Sequence, residues 1–163
     1  WNDPDYLLIG WVGEARKQGE GHPTRLTPNE QYSYMSMWSL MAAPLVFSGD
    51  MAKLDEFTLG VLCNAEVIAV DQDPLGKQAK ILRQTDEDLI MAKPLADGSL
   101  AVGLFNLGEI ERDMTIPWSE LGISGKQTAR DLWRQKDLGP FETEFTTTVP
   151  RHGVMLLRLA ATQ

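Results

Sequence analysis

Two carboxylates stand two residues apart near the start of the chain, Asp3 and Asp5, with Pro4 between them. Pro4 lacks a backbone donor, fixes its own φ and biases Asp3 towards extended backbone. On an extended segment, side chains two residues apart point to the same side. A carboxylate pair so placed can accept hydrogen bonds from sugar hydroxyls, bind a cation, or act as acid and base. The same spacing also suits a local turn or a helix cap, and spacing alone leaves these readings open. Other reactive groups are sparse. The single cysteine, Cys63, lies in the apolar stretch 59–70, where a buried thiol is expected rather than a nucleophile. With one cysteine there is no internal disulfide. His22 and His152 stand alone, without metal-ligand spacing.

The elements that must position these groups are of two kinds, and they meet near Asp73-Pro74-Leu75-Gly76. Before that point, Thr27-Pro28-Asn29-Glu30 predicts a helix start: Thr27 as cap, Pro28 in the first position, Glu30 closing a capping box. Tyr34, Trp38 and Met41 recur at helical spacing, with Met35 and Ala42 beside them, so Trp38 reads as core. Pro44 ends this helix. Leu45-Val46-Phe47 predicts a short strand buried on both faces, and residues 55–64 a second helix continuing by a turn through Val67. Helix, buried strand, helix is the rhythm of an α/β barrel or a doubly wound sheet.

After the boundary, residues 79–84, 89–94, 100–106, 112–116, 128–133, 143–149 and 154–159 read as strands. Turn signals separate them: Asp97-Gly98, Leu107-Gly108, Leu138-Gly139-Pro140 and Arg151-His152-Gly153. Residues 117–122 predict a single helical turn on a connection. Short strands at this spacing suit an antiparallel sandwich. Trp118 and Trp133 fall in this half, where core or interdomain packing competes with a glycan-binding surface.

Of the 163 residues, 43% are hydrophobic and 23% charged, ordinary values for a globular chain of one domain or two small ones. The net charge of -8 argues against nucleic acid and against an anionic membrane surface as partners. No apolar run reaches the roughly 18 residues of a membrane span. The chain opens on Trp1 rather than Met, as a piece of a longer polypeptide would, and no sorting signal is legible in it.

Four motifs then appear in order: Trp1-Asn2-Asp3-Pro4-Asp5, Met41-Ala42-Ala43-Pro44-Leu45, Gly49-Asp50, and the run from Val67 through Asp71-Gln72-Asp73-Pro74-Leu75-Gly76 to Gln78. Together they resemble the melibiase-like enzymes of glycoside hydrolase family 27, the α-galactosidases and α-N-acetylgalactosaminidases. The resemblance implies an α/β plus all-β architecture. Residues 1–76 would be the terminal portion of a catalytic (β/α)8 barrel, and residues 77–163 an antiparallel β-sandwich. In such barrels the site lies at the C-terminal ends of the strands.

The family's Trp-Asn-Asp-Pro-Asp motif follows the seventh strand, and its second Asp binds hydroxyls of the terminal sugar. That role falls on Asp5, with Trp1 in the same motif. Tyr6 stands where the family usually has Met, which changes the size and polarity of the pocket wall. Asp3 would shape the loop. The nucleophile and the acid/base of this retaining family belong to earlier motifs, so no catalytic residue is assigned here. The chain alone is expected to be inactive, and to self-associate or to accompany the rest of its barrel. The substrate implied is a terminal α-galactoside, with no cofactor and no metal. α-N-acetylgalactosaminides and β-L-arabinopyranosides are alternatives that these motifs do not separate. Ser48-Gly49-Asp50 would either shape the site or cap a loop. Residues 10–26 look longer than in the familiar enzymes. There Trp11 is either a sugar-stacking residue on the substrate rim or packed inward under a solvated loop.

Overall fold

The computed structural model describes residues 2–13 and 21–162. Asn2 to Tyr6 has no regular structure, and Leu7 then pairs in parallel with Phe47. The Leu7 N–H donates to Val46 O at 2.8 Å and the Ser48 N–H to Leu7 O at 3.1 Å. A two-residue ladder follows, β1 (Trp11–Val12) against β2 (His22–Pro23). Helix α1 (Pro28–Leu40) begins as its local chemistry dictates. Thr27 Oγ1 accepts the Glu30 N–H at 3.3 Å, and the Glu30 carboxylate accepts the Thr27 N–H at 2.7 Å.

Three expectations for this half need correction. Leu45-Val46-Phe47 is not buried on both faces: Val46 is 46% exposed, because the described residues offer the segment one parallel neighbour, at Leu7. The second helix is two helices, α2 (Glu56–Leu62) and α3 (Ala65–Asp71). They part at Asn64, whose Oδ1 accepts the N–H groups of Glu66 and Val67 and starts a new helix. Cys63 is exposed rather than buried, because it caps the C-terminal end of α2 at that break.

The second half is antiparallel throughout. Its strands are β3 (Lys80–Gln84), β4 (Asp88–Pro94), β5 (Leu100–Asn106), β6 (Arg112–Pro117), β7 (Gln127–Asp131), β8 (Lys136–Phe141), β9 (Glu144–Val149) and β10 (Val154–Ala161). Six form one sheet in the order β3-β4-β5-β10-β7-β8, and β6 pairs with β9 as a second layer. Helix α4 (Trp118–Leu121) is the expected single turn, closed by Gly122 at φ 67. Strand β8 corrects the reading of Leu138-Gly139-Pro140 as a turn. It is an edge strand, where a proline's missing donor breaks no ladder, and Gly139 (φ 98) sits opposite a register shift at Ala129/Arg130.

Alternation along β5 shows how the layers stack. Val102 and Leu104 face the β6–β9 pair, in a core with Ile116, Trp118 and Phe145. Ala101 and Phe105 face the helices, in a core with Met35, Leu40, Val67 and Val70. Gly103 lets α1 approach the sheet, since a Cβ there would lie 2.6 Å from the Leu40 side chain. Trp118 is therefore core. Trp133 belongs to the junction: its ring packs edge-on against Tyr32 at 4.7 Å, and its Nε1 donates to Ser36 Oγ at 2.8 Å.

Polar ties cross the same junction. Lys93, on β4, is wholly buried and donates to the carbonyls of Ser39 (3.2 Å), Asp71 (3.4 Å) and Val70, at the C-terminal ends of α1 and α3. Those carbonyls carry the negative end of each helix dipole, which suits a cation. Burial lowers the Lys93 pKa and raises that of Asp71, while each charge partly offsets the other's shift. Arg130 forks onto both Glu66 oxygens at 2.7 Å.

Candidate functional site

The segment from Asn2 to Trp11 is shaped by its own side chains. Asp3 Oδ1 accepts the Asp5 N–H at 3.2 Å, and Asp5 Oδ1 accepts the Tyr6 N–H at 2.9 Å. Asp5 adopts φ 73, a left-handed conformation uncommon for a residue with a side chain. The extended geometry expected for Asp3-Pro4-Asp5 therefore does not hold at Asp5. Pro4 restrains the residue before it, not the one after, and Asp tolerates the left-handed region better than most. Asp3 acts as the loop-shaping residue.

Two donors from α1 hold this segment from behind. Trp38 Nε1 donates to Asp5 O at 3.1 Å, and the Tyr34 hydroxyl donates to Tyr6 O at 2.6 Å. The two rings meet edge-to-face at 4.2 Å. Burial raises the Tyr34 pKa; the Leu8 backbone opposes that shift, and the nearby Asp5 charge adds to it. The Asp5 and Tyr6 side chains remain exposed, Tyr6 at 51%. From there the segment alternates: Leu7 and Ile9 are buried, while Tyr6 and Leu8 are open, as is Val46 on the segment paired beside it. A cleft of about 790 Å³ runs beside this segment, lined by Leu8, Tyr34, Met37, Trp38, Phe105 and His152 among others.

Trp11 lies further along, with different neighbours. Its carbonyl accepts the Asp50 N–H at 2.9 Å, and the Lys53 ammonium stands 4.2 Å from its ring centroid. It is half-buried. Asp50 is a loop cap: its Oδ1 accepts the Ala52 N–H at 2.8 Å and starts a short 3-10 turn, Met51–Lys53. Gly49 is required there, since a Cβ would meet the Phe47 ring at 2.6 Å and Trp11 O at 2.7 Å. Of the four residues expected to touch substrate, the structure thus brings Asp5 and Tyr6 together. It gives Trp11 a separate setting, and Trp1 lies outside the described residues, as does the middle of the expected rim, residues 14–20. The sequence reading missed the polar duty of Tyr34 and Trp38. The available signal was two aromatics with polar tips, four residues apart on one helix face.

Comparison with known proteins matches the chain to two family models. The family model described as "Alpha galactosidase A" matches residues 1–73, and "Alpha galactosidase C-terminal beta sandwich domain" matches residues 86–159. A probable α-galactosidase of Dictyostelium discoideum is 34% identical over 99% of this chain and 40% of its own length. The α-galactosidase of Cyamopsis tetragonoloba is 35% identical over 93% of this chain and 34% of its own. A crystal structure of a GH27 β-L-arabinopyranosidase from Geobacillus stearothermophilus superposes with a TM-score of 0.91 at 29% identity. That match covers 99% of this chain and 37% of the other. The chain spans about two fifths, or less, of the length of the relatives named here. It belongs to the α-galactosidase family, glycoside hydrolase family 27, and holds the end of the catalytic domain followed by the C-terminal β-sandwich.

Proposed function

We propose that this chain is the closing part of a retaining exo-glycosidase that removes terminal α-galactosyl residues. Residues 1–76 complete a catalytic barrel and residues 77–163 form the sandwich that buttresses it. In this reading Asp5 accepts hydrogen bonds from sugar hydroxyls, Tyr6 and Trp1 wall the pocket, and Trp11 stands at its rim. The observation that carries it is the Asp5–Tyr6 pair: two exposed side chains on a backbone fixed by Asp3, Tyr34 and Trp38. A preorganised acceptor of this kind orients a bound sugar at little entropic cost.

Asp3 and Asp5 both direct an oxygen at local backbone N–H groups, which suits holding and shaping rather than acid-base work. The nucleophile and the acid/base, standing about 5–5.5 Å apart in retaining enzymes, are supplied by the preceding strands of the barrel. The isolated chain is inactive and either self-associates or travels with that missing part. The open face of Tyr6, Leu8 and Val46 is its contact surface, corresponding to the interior of a closed barrel.

The test compares two samples on p-nitrophenyl α-galactoside: this chain alone, and the polypeptide carrying a complete barrel. The full barrel turns over, releasing α-galactose first by NMR, and the chain alone does not. Turnover at enzyme-like rates by the chain alone, or β-galactose as first product, would overturn the proposal. The likeness to a β-L-arabinopyranosidase favours one second reading, a pentopyranoside substrate. Parallel assays on p-nitrophenyl β-L-arabinopyranoside separate the two.

A further inference from the structure

We infer that Tyr34 and Trp38 are positioning residues for substrate binding, acting through Asp5. This rests on the reading of Asp5 as a sugar contact. Asp5 is held at φ 73, and such a conformation persists only where its surroundings over-determine it. The two donors from α1 provide that determination. They grip consecutive carbonyls, Asp5 O at 3.1 Å and Tyr6 O at 2.6 Å. Consecutive grips fix the peptide plane on each side of Tyr6, and with it the direction in which the Asp5 side chain leaves the backbone.

The donors are themselves well anchored. Tyr34 and Trp38 are one helical turn apart, and their rings lock edge-to-face at 4.2 Å with planes 90° apart. Their helix is fixed at both ends by the sandwich. Ser33 Oγ donates to His152 O at 2.8 Å, Asn29 Nδ2 to Arg151 O at 3.1 Å, and Lys93 holds the Ser39 carbonyl at 3.2 Å. A continuous set of contacts therefore runs from β4 and the β9–β10 turn, through α1, to the backbone under Asp5. The β-sandwich takes part in shaping the pocket without touching substrate.

The test uses the polypeptide with a complete barrel and a double-mutant cycle. Trp38→Phe removes the Nε1 donor and keeps an aromatic ring; Tyr34→Phe removes the hydroxyl and keeps the ring packing. Each is expected to lower kcat/KM on p-nitrophenyl α-galactoside by roughly 10- to 100-fold, chiefly in kcat, because a displacement of about 1 Å has effects of this size. Asp5→Asn is expected to lose at least as much. In the Asp5→Asn background, Trp38→Phe should add no more than about a two-fold loss, since both changes remove one interaction. Losses that multiply would overturn the inference, as would wild-type kinetics of both ring variants beside a crippled Asp5→Asn. If Asp5→Asn itself has wild-type kinetics, the Asp5 reading falls and the inference with it. Thermal midpoints of all variants are compared, because a purely structural role moves the midpoint and leaves kcat in place.

Discussion

The two halves of the chain follow the same alternation rule and reach opposite results. In the sandwich, each buried strand face finds a partner: β5 sends Val102 and Leu104 into one core and Ala101 and Phe105 into the other. In the helical half, Leu7 and Ile9 pack against the helices, but the other face of the same segment leaves Tyr6, Leu8 and Val46 open. Period-2 apolar patterning specifies which face seeks cover; it does not supply the cover. The sandwich strands find cover on both faces within the chain, from β6 and β9 on one side and from the helices on the other. The helical half is buried where it leans on the sandwich, and its open face lies elsewhere.

That contrast breaks most visibly at Lys93, the tie between the halves. Lys93→Ala would empty a fully buried side chain's space and leave the carbonyls of Ser39, Val70 and Asp71 without this donor. It would also leave Asp71, whose Oδ1 already lacks a partner, without its neighbouring cation. Leaving a buried acceptor without its donor costs about 1–3 kcal/mol, so a loss of about 3 kcal/mol is expected here. Urea unfolding followed by tryptophan fluorescence should show the loss as an early transition of the helical half, ahead of the sandwich. A single transition within about 1 kcal/mol of wild type would mean that apolar packing alone joins the halves.

A smaller effect is expected at the start of α1. Glu30 accepts from Thr27 in the capping box and from His152 across the junction at 3.0 Å. Its pKa is lowered, first by the Thr27 backbone N–H, then by the Thr27 side chain, with His152 contributing after these. A lowered folded-state pKa means the stabilisation is fully present above the unfolded value of about 4.3 and is lost as pH falls through the folded one. Glu30→Gln should therefore cost about 1 kcal/mol near neutrality and flatten the loss of stability on acidification below about pH 5. Chemical denaturation at several pH values checks this. An acid slope identical to wild type would place the acid sensitivity elsewhere.

The parts legible in the sequence were those fixed by neighbours in the chain. The capping box at Thr27–Glu30, the hairpin at Asp97-Gly98 and the helical turn ended by Gly122 all depend on a few consecutive residues, and all appear. What was misread or missed mostly involves a partner remote in sequence. Lys93 falls in the strand read at residues 89–94, where nothing local signals burial, and only the ends of α1 and α3 make that burial tolerable. Gly139-Pro140 signals a turn until β7 is found beside it, making an edge strand. The composition of residues 59–70 averages over a helix break, which is why Cys63 surfaced. At the candidate site, the motif named Asp5 but not its left-handed backbone, which depends on donors some 30 residues away on α1.

The open face yields the smallest stability effect and the clearest opposition between contexts. Leu8 is 47% exposed and lines the cleft beside α1. In the chain alone, Leu8→Ser should cost no more than about 1 kcal/mol, because only about half of the side chain is withdrawn from water there. It should nonetheless weaken association, since it removes apolar surface from the patch proposed to make the contact. Sedimentation velocity over a concentration series would show a shift towards monomer. In the complete barrel proposed above the same position would be covered, where a buried leucine contributes roughly 1.5–3 kcal/mol, so the identical substitution should destabilise more. A substitution clearly cheaper in one context than in the other would locate the missing cover on this face. Equal effects in both would mean the face stays wet in the full enzyme, and association of the short chain would then need another surface.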